Sequence, residues 1–244
     1  MFDRADQERS SPPADGAVSI TGIDGAHFTT RDGTGIIFLG RRDGVPLYTD
    51  DVTFDFRAAA AAMDAEDVAL LSYAQGMLNW TRRTRFCSVC AAELEVRHGG
   101  HVRVCPAGDG EFYPRTDPAV MMAVTHNGRL LLAQHKGRGH AMWSTLAGFV
   151  EPGESLEDAA RREMFEETGL TAKTVTYFGS QSWPLPASLM IGFVIEAEHD
   201  AITLDENELA AARFYEPGEL DALPLSGPIS LSRWMIEWWR RSAR

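Results

Sequence analysis

The stretch from residue 148 to 170, GFVEPGESLEDAARREMFEETGL, limits what this chain can fold into more than any other part of it. Ser155 is a helix-capping residue with Asp158 three positions on as a capping box, and Gly169 stands where a C-terminal cap belongs, so a helix is expected from Ser155 to Thr168. Glu163, Glu166 and Glu167 fall at i, i+3 and i+4 of that helix and share a face. Like charges at that spacing repel, and late in a helix they also oppose its dipole. A cation offsets both penalties. Three carboxylates with no His or Cys beside them make a hard oxygen site suited to Mg²⁺ or Mn²⁺. An isolated E-x-x-E-E would read as a solvated acidic face, but here a tight turn, Glu151-Pro152-Gly153-Glu154, leads into the helix. Arg162 is placed to tie down a carboxylate, with Glu154 the candidate. Met164 and Phe165 are expected to face a core.

The rest of the chain divides around this segment. Residues 1–17 are polar and read as a disordered arm. Residues 18–48 hold short apolar runs such as Gly35-Ile-Ile-Phe-Leu-Gly40, cut by Asp-Gly pairs at 32–33 and 43–44, and read as strands and turns. Residues 57–85, rich in Ala and Leu, read as one or two helices. Residues 119–125 form a strand, Asn127-Gly128 a two-residue turn, and residues 129–133 the returning strand. Further strands are expected near 174–178, 189–197 and 212–215, with a closing helix over 229–241. The expected domains are residues 1–85, a compact insert over 86–114 carrying all three cysteines, and a catalytic domain over 115–244.

Composition narrows the partners. The net charge of −12 argues against a surface made for non-specific binding to nucleic acid or anionic membrane, although a local metal site still admits a polyanionic substrate. No apolar run approaches a membrane span, no signal-peptide core precedes residue 17, and three cysteines do not make a disulfide framework, so a cytoplasmic protein is expected.

The segment 148–170 matches G-x5-E-x7-R-E-U-x-E-E-x-G-U, with U apolar, at every fixed position, and so resembles the box of the Nudix hydrolases. The resemblance implies an α+β chain whose catalytic part is the family's α/β/α sandwich on a mixed sheet. It also implies metal-dependent cleavage of a nucleoside diphosphate linkage, with Mg²⁺ or Mn²⁺ on Glu163, Glu166 and Glu167. Glu166 and Glu167 are the candidates for the base that takes the proton of the attacking water. Glu208 matches a further metal carboxylate, and the carbonyl of Ala147 a further ligand.

Downstream, Ser180-Gln181-Ser182-Trp183-Pro184-Leu185-Pro186-Ala187-Ser188 resembles the S-Q-P-W-P-F-P-x-S array of the NADH pyrophosphatases, departing at Ser182 and Leu185. Two prolines about a Trp make a stiff extended wall, Gln181 offers donor and acceptor, and Ser188 a hydroxyl. The same resemblance places Phe149 and a Tyr113 from a second subunit around the nicotinamide, and a backbone contact at Ser230. Expected partners are therefore a dinucleotide and a second copy of the chain, with cleavage of NAD(H) to NMN(H) and AMP. The alternatives are an ADP-ribose or NAD-capped RNA hydrolase, and a non-catalytic nucleotide sensor.

Cys87-x2-Cys90-x14-Cys105 has zinc-ribbon spacing, but Gly108 stands where the family has a fourth cysteine. The loop at residues 107–110 reads as an ordinary turn, with Val89, Val102 and Val104 supplying a small core. Zinc is expected to be absent or weak. Should it bind, His98, His101 and Asp109 are the candidate fourth ligands.

Overall fold

The computed structural model describes residues 20–22, 26–28, 37–42, 45–49, 55–137 and 142–242. The expected arm at 1–17 and the Asp-Gly turns at 32–33 and 43–44 lie outside the described residues. The chain forms two compact units, one of residues 1–116 with 183–187, the other of residues 117–182 with 188–244.

In the first unit, β1 (Ile20–Gly22) pairs with β2 (Ala26–Phe28), and β3 (Ile37–Arg42) with β4 (Val45–Thr49), both antiparallel. The Ala-rich region is two helices, α1 (Phe56–Ala62) and α2 (Ala65–Arg83). Asp55 and Asp64 cap them, each accepting a backbone N–H of the first turn. The cysteine insert is a three-stranded antiparallel sheet of β5 (Glu95–Arg97), β6 (Val102–Val104) and β7 (Glu111–Phe112). Its core is Cys87, Leu94 and Cys105 packed on Ala92 and Phe112; of the three valines expected to supply it, Val102 is buried, Val104 is half-buried and Val89 is exposed.

The second unit is built on β8 (Asp117–His126), β9 (Arg129–His135), β10 (Leu146–Phe149), β11 (Ala172–Trp183), β12 (Ser188–Ala197) and β13 (Leu209–Tyr215). The order is β11-β12-β8-β9-β13. β8 runs parallel to β12 and antiparallel to β9 and β10, so the sheet is mixed. One edge of β8 is shared: residues 119–122 meet β10, and Thr125 and His126 meet β9 across the Asn127-Gly128 turn. Both turn residues have positive φ, 49° and 78°, as a two-residue turn requires.

Side chains alternate between two cores, which explains why the central strands are apolar throughout. Val120, Met122, Val124, Leu131 and Ala133 face α3 (Leu156–Thr168) through its Ala159, Ala160 and Met164. Ala123, Leu130 and Leu132 face α4 (Leu231–Ser242) through its Leu231, Met235, Ile236 and Trp239. Helices thus cover the two faces of one sheet. No helix among the described residues is long and apolar enough to cross a membrane.

Candidate active site

Helix α3 begins and ends where its sequence says it should. Ser155 Oγ accepts from the amide of Asp158 at 3.1 Å, and Gly169 closes the helix in the left-handed region at φ 70°. The return arm of the capping box differs from expectation. The Asp158 carboxylate accepts from the Ser155 hydroxyl at 2.7 Å, the side chain being one methylene shorter than the Glu that usually reaches the cap's backbone N–H. Met164 is fully buried, but Phe165 is 58% exposed. Neighbouring helix positions lie about 100° apart, and the sheet takes only one of these two.

Three carboxylates of the box are organised by one guanidinium. Arg162 clamps Glu154 with two bonds, Nε to Oε1 at 2.6 Å and Nη2 to Oε2 at 2.9 Å. It also donates to Glu163 at 2.9 Å, to Glu166 at 2.8 Å and to the Phe149 carbonyl at 2.9 Å. The clamp holds the Glu154 carboxyl down at about 2. That carboxylate also accepts the Glu151 amide at 2.9 Å, which fixes the turn ahead of the helix.

Glu163 lies against β10. A Cβ on Gly148 would sit 1.8 Å from its carboxyl carbon, so any side chain there displaces the Glu163 carboxylate. Burial pushes the Glu163 carboxyl above its ordinary value; repulsion from Glu166 and Glu208 adds to this, and Arg162 opposes it. Glu167 is buried, with Oε1 3.8 Å from Nδ1 of His135, the last residue of β9. Sequence reading gave His135 no role, and nothing local to it signals a partner 32 positions away. Glu208 is exposed in the turn just before β13, where its carbonyl accepts the Lys136 amide at 2.8 Å. Ala147 precedes Gly148 in β10.

The structure therefore gathers Glu154, Glu163 and Glu166 on a single arginine, with Glu208 near enough to Glu163 to repel it and Glu167 buried on the same helix. This surplus of negative charge and hard oxygen donors fits a divalent cation of the Mg²⁺ or Mn²⁺ type. These carboxylates do not converge as tightly as the cysteine cluster does; among the described residues, only that cluster has its ligand atoms within 4.8 Å of one another.

The other candidates divide between the units. Phe149 is 60% exposed in the second unit, and Tyr113 is 59% exposed in the first, its hydroxyl donating to Glu111. Gln181 spends its amide on the chain itself. It donates to the Ile229 carbonyl and accepts the Leu231 amide, both at 2.7 Å, and so tethers the start of α4 on either side of Ser230. The Ser230 hydroxyl donates to Gly227 and accepts the Arg233 amide. Trp183, Pro184, Leu185, Pro186 and Ala187 belong to the first unit. There Phe56 meets the Trp183 ring edge-on at 6.3 Å, Arg57 lies over it at 5.7 Å, and Asn79 donates to the carbonyls of Pro184 and Pro186 at 2.8 and 2.9 Å. Ser182 is exposed, and Ser188 is buried at the head of β12.

The cysteine insert departs from expectation. The turn at 107–110 carries Asp109 onto the sulfurs, and neither His98 nor His101 joins the cluster. Cys87 and Cys105 are buried and Cys90 is exposed, all three as free thiols.

Fold, box and sheet are those of the family that the box resembles, and comparison with known proteins agrees. The NUDIX domain family matches residues 115–236, and the NADH pyrophosphatase zinc ribbon domain matches residues 82–113. The chain is 36% identical over 209 residues to a protein of Stutzerimonas stutzeri named NAD-capped RNA hydrolase NudC, covering 82% of this chain and 75% of that one. A relative of the same name from Chromobacterium violaceum is 37% identical over 213 residues, covering 83% and 80%. One from Mycobacterium tuberculosis is 36% identical over 234 residues, covering 83% and 74%. A crystal structure of a Nudix hydrolase from Nitrosomonas europaea superposes with a TM-score of 0.56 over 65% of this chain and 92% of that one, and at 19% identity it bears on the fold alone. The chain belongs to the Nudix hydrolases, in the branch that carries an NADH pyrophosphatase zinc ribbon.

Proposed function

We propose that this enzyme hydrolyses the diphosphate linkage of an NAD moiety, and that NAD carried at the 5′ end of RNA is a substrate alongside free NAD(H). The observation that carries this reading is the match, over more than four-fifths of the chain, to relatives named NAD-capped RNA hydrolase, with every fixed box residue in place. Those names favour capped RNA over the free dinucleotide expected from the sequence. The bond is the same in both cases. Water adds across one P–O–P bridge, free NAD(H) leaving as NMN(H) and AMP, capped RNA as NMN and an RNA ending in a 5′-monophosphate.

Glu163, Glu166, Glu167, Glu208 and the Ala147 carbonyl would hold Mg²⁺ or Mn²⁺. Bound there, the metal supplies charge neutralisation on the diphosphate and a water of lowered pKa. The chain's own residues do the rest. Arg162 keeps the acidic face oriented, Gly148 leaves room for Glu163, and Glu166 or Glu167 takes the water's proton. Phe149, with Tyr113 from a second copy, would stack on the nicotinamide. The loop 182–188 and the backbone at Ser230 would border the dinucleotide, with Gln181 holding that backbone in place.

The net charge of −12 bears on RNA recognition. A surface this acidic gains little from phosphate contacts along an RNA, so selectivity would rest on the cap and the first nucleotides. The test is product analysis with purified protein, Mg²⁺ or Mn²⁺, and four substrates: NAD-capped RNA, the same RNA with a 5′-triphosphate, NADH and ADP-ribose. Release of NMN from capped RNA with the triphosphate RNA untouched supports the reading. Cleavage of ADP-ribose alone overturns it.

A further inference from the structure

The two arms of the cysteine insert are built differently. In the first, the Cys87 amide donates to Ala92 at 2.8 Å, the Ala91 amide to the Cys87 carbonyl at 2.9 Å, and the Val89 amide to Cys87 Sγ at 3.4 Å. Ala91 turns the chain at φ 61° directly after Cys90. In the second arm, the Gly108 amide donates to the Cys105 carbonyl at 3.1 Å and the Cys105 amide to Gly110 at 3.0 Å. Gly108 and Gly110 have φ of 90° and 132°, which side chains rarely tolerate. The two glycines open the second turn by one residue, and that residue is Asp109. Its Oδ2 lies 3.3 Å from Cys87 Sγ and 3.4 Å from Cys105 Sγ, while Cys90 Sγ lies 3.5 Å from Cys105 Sγ.

These distances can be set against a metal. A tetrahedral Zn²⁺ with sulfur at ~2.3 Å and oxygen at ~2.0 Å separates its ligands by ~3.8 Å for S···S and ~3.5 Å for S···O. The observed separations agree to a few tenths of an ångström. Burial of Cys87 and Cys105 alone would be ordinary for small apolar thiols. It would not explain why Asp109, an exposed residue on a loop, turns its carboxylate onto sulfur rather than water. His101 is engaged elsewhere, Nδ1 3.2 Å from the Tyr73 hydroxyl.

We propose that Asp109 is the fourth ligand of a Zn²⁺ site completed by Cys87, Cys90 and Cys105, a three-thiolate, one-carboxylate centre in place of four thiolates. The carboxylate is the harder and more weakly held donor, so this ribbon gives up its metal more readily than an all-cysteine one. The site stands apart from the hydrolytic reading, and its test reads metal rather than turnover.

Full-length protein is stripped with a chelator and titrated with Zn²⁺ and, separately, with Co²⁺. One Zn²⁺ per chain and a Co²⁺ spectrum with thiolate charge-transfer bands are expected. Asp109→Ala should weaken Zn²⁺ binding at least ~100-fold, the upper end of what losing a mere supporting residue does. Asp109→Asn, which keeps the side chain's shape, should weaken it too. Asp109→Cys should tighten it and move the Co²⁺ bands to lower energy, and His101→Ala should leave both unchanged. The proposal is overturned if wild-type protein takes up no zinc, if Asp109→Ala binds as wild type does, if His101→Ala loses the metal, or if the fresh protein carries a Cys90–Cys105 disulfide.

Discussion

Replacing Gly148 by alanine puts a methyl group into the acidic site and changes nothing else. The added carbon would lie 1.8 Å from the Glu163 carboxyl carbon and 2.0 Å from its Oε2. To restore an ordinary 3.4 Å contact, that carboxylate must withdraw by about 1.6 Å. The backbone at 148 pairs with Val120 in a regular antiparallel ladder and has no positive φ, so alanine is not strained there. The movement falls on Glu163 alone. It gives up a charge-assisted bond to Arg162, a loss of about 1.5–3 kcal/mol, partly offset because a half-buried carboxylate regains water. Stability should therefore fall by at most about 3 kcal/mol. Catalysis is less forgiving, since a misplacement of about 1 Å in an active site removes roughly 100-fold in rate. Gly148→Ala should lower kcat/KM at least ~100-fold and raise the Mg²⁺ or Mn²⁺ concentration needed for half-maximal rate. Steady-state hydrolysis across a metal titration, with thermal unfolding of the metal-free protein, separates the two effects. Wild-type kcat/KM at wild-type metal demand would falsify the assignment of Glu163 as a ligand held in place by Gly148.

Glu166→Gln and Glu167→Gln should each cut kcat by ~100-fold or more, the span of a lost general base or metal ligand, while the unfolding temperature holds; near-normal turnover in both would remove the acidic face from the chemistry. Glu154→Gln should show itself in acid. Because Arg162 depresses the folded-state pKa of Glu154 to about 2 from 4.5, the stabilisation is complete above the ordinary value and drains away as pH falls from about 4.5 toward 2. The stability gap between wild type and variant should close over that window, and a gap independent of pH would contradict the ion pair. Gln181→Ala strands the Ile229 carbonyl and the Leu231 amide, so urea unfolding should report a loss of roughly 1–3 kcal/mol. An intact stability with a selective loss of NADH over ADP-ribose hydrolysis would instead assign that amide to substrate.

What the sequence reveals and what it hides divide along physical lines. Ser155, Gly169 and Asn127-Gly128 declare their structures because caps and two-residue turns are local devices, decided within four or five residues. The carboxylate face of α3 is legible for the same reason, as a matter of helical spacing. Arg162 could be matched to Glu154 because the two are eight positions apart on one loop and helix. Phe165 was misjudged because an apolar pair in a helix does not say which member the sheet accepts. His135 beside Glu167, Asn79 beneath Pro184 and Pro186, and Gln181 on the α4 backbone depend on where distant strands and helices come to rest. Asp109 was visible as one of three candidate fourth ligands, and the sequence could not choose it over His98 and His101. Its spacing from Cys105 is one residue longer than a ribbon's, and only two glycines with positive φ make that spacing work.

The short connection at residues 183–187 leaves the second unit and returns to it, so the peptide chain passes between the units three times rather than once. Proteins with one crossing can be divided by a single cut, and their parts traded as cassettes. Here a fragment beginning at residue 117 would carry the Pro184 and Pro186 carbonyls without Asn79 and the Trp183 ring without Phe56. A nick between Thr116 and Asp117 would leave the two pieces joined by those same contacts. The two units are therefore expected to be inherited together, and a transplanted catalytic half would need a rebuilt loop before it could stand alone.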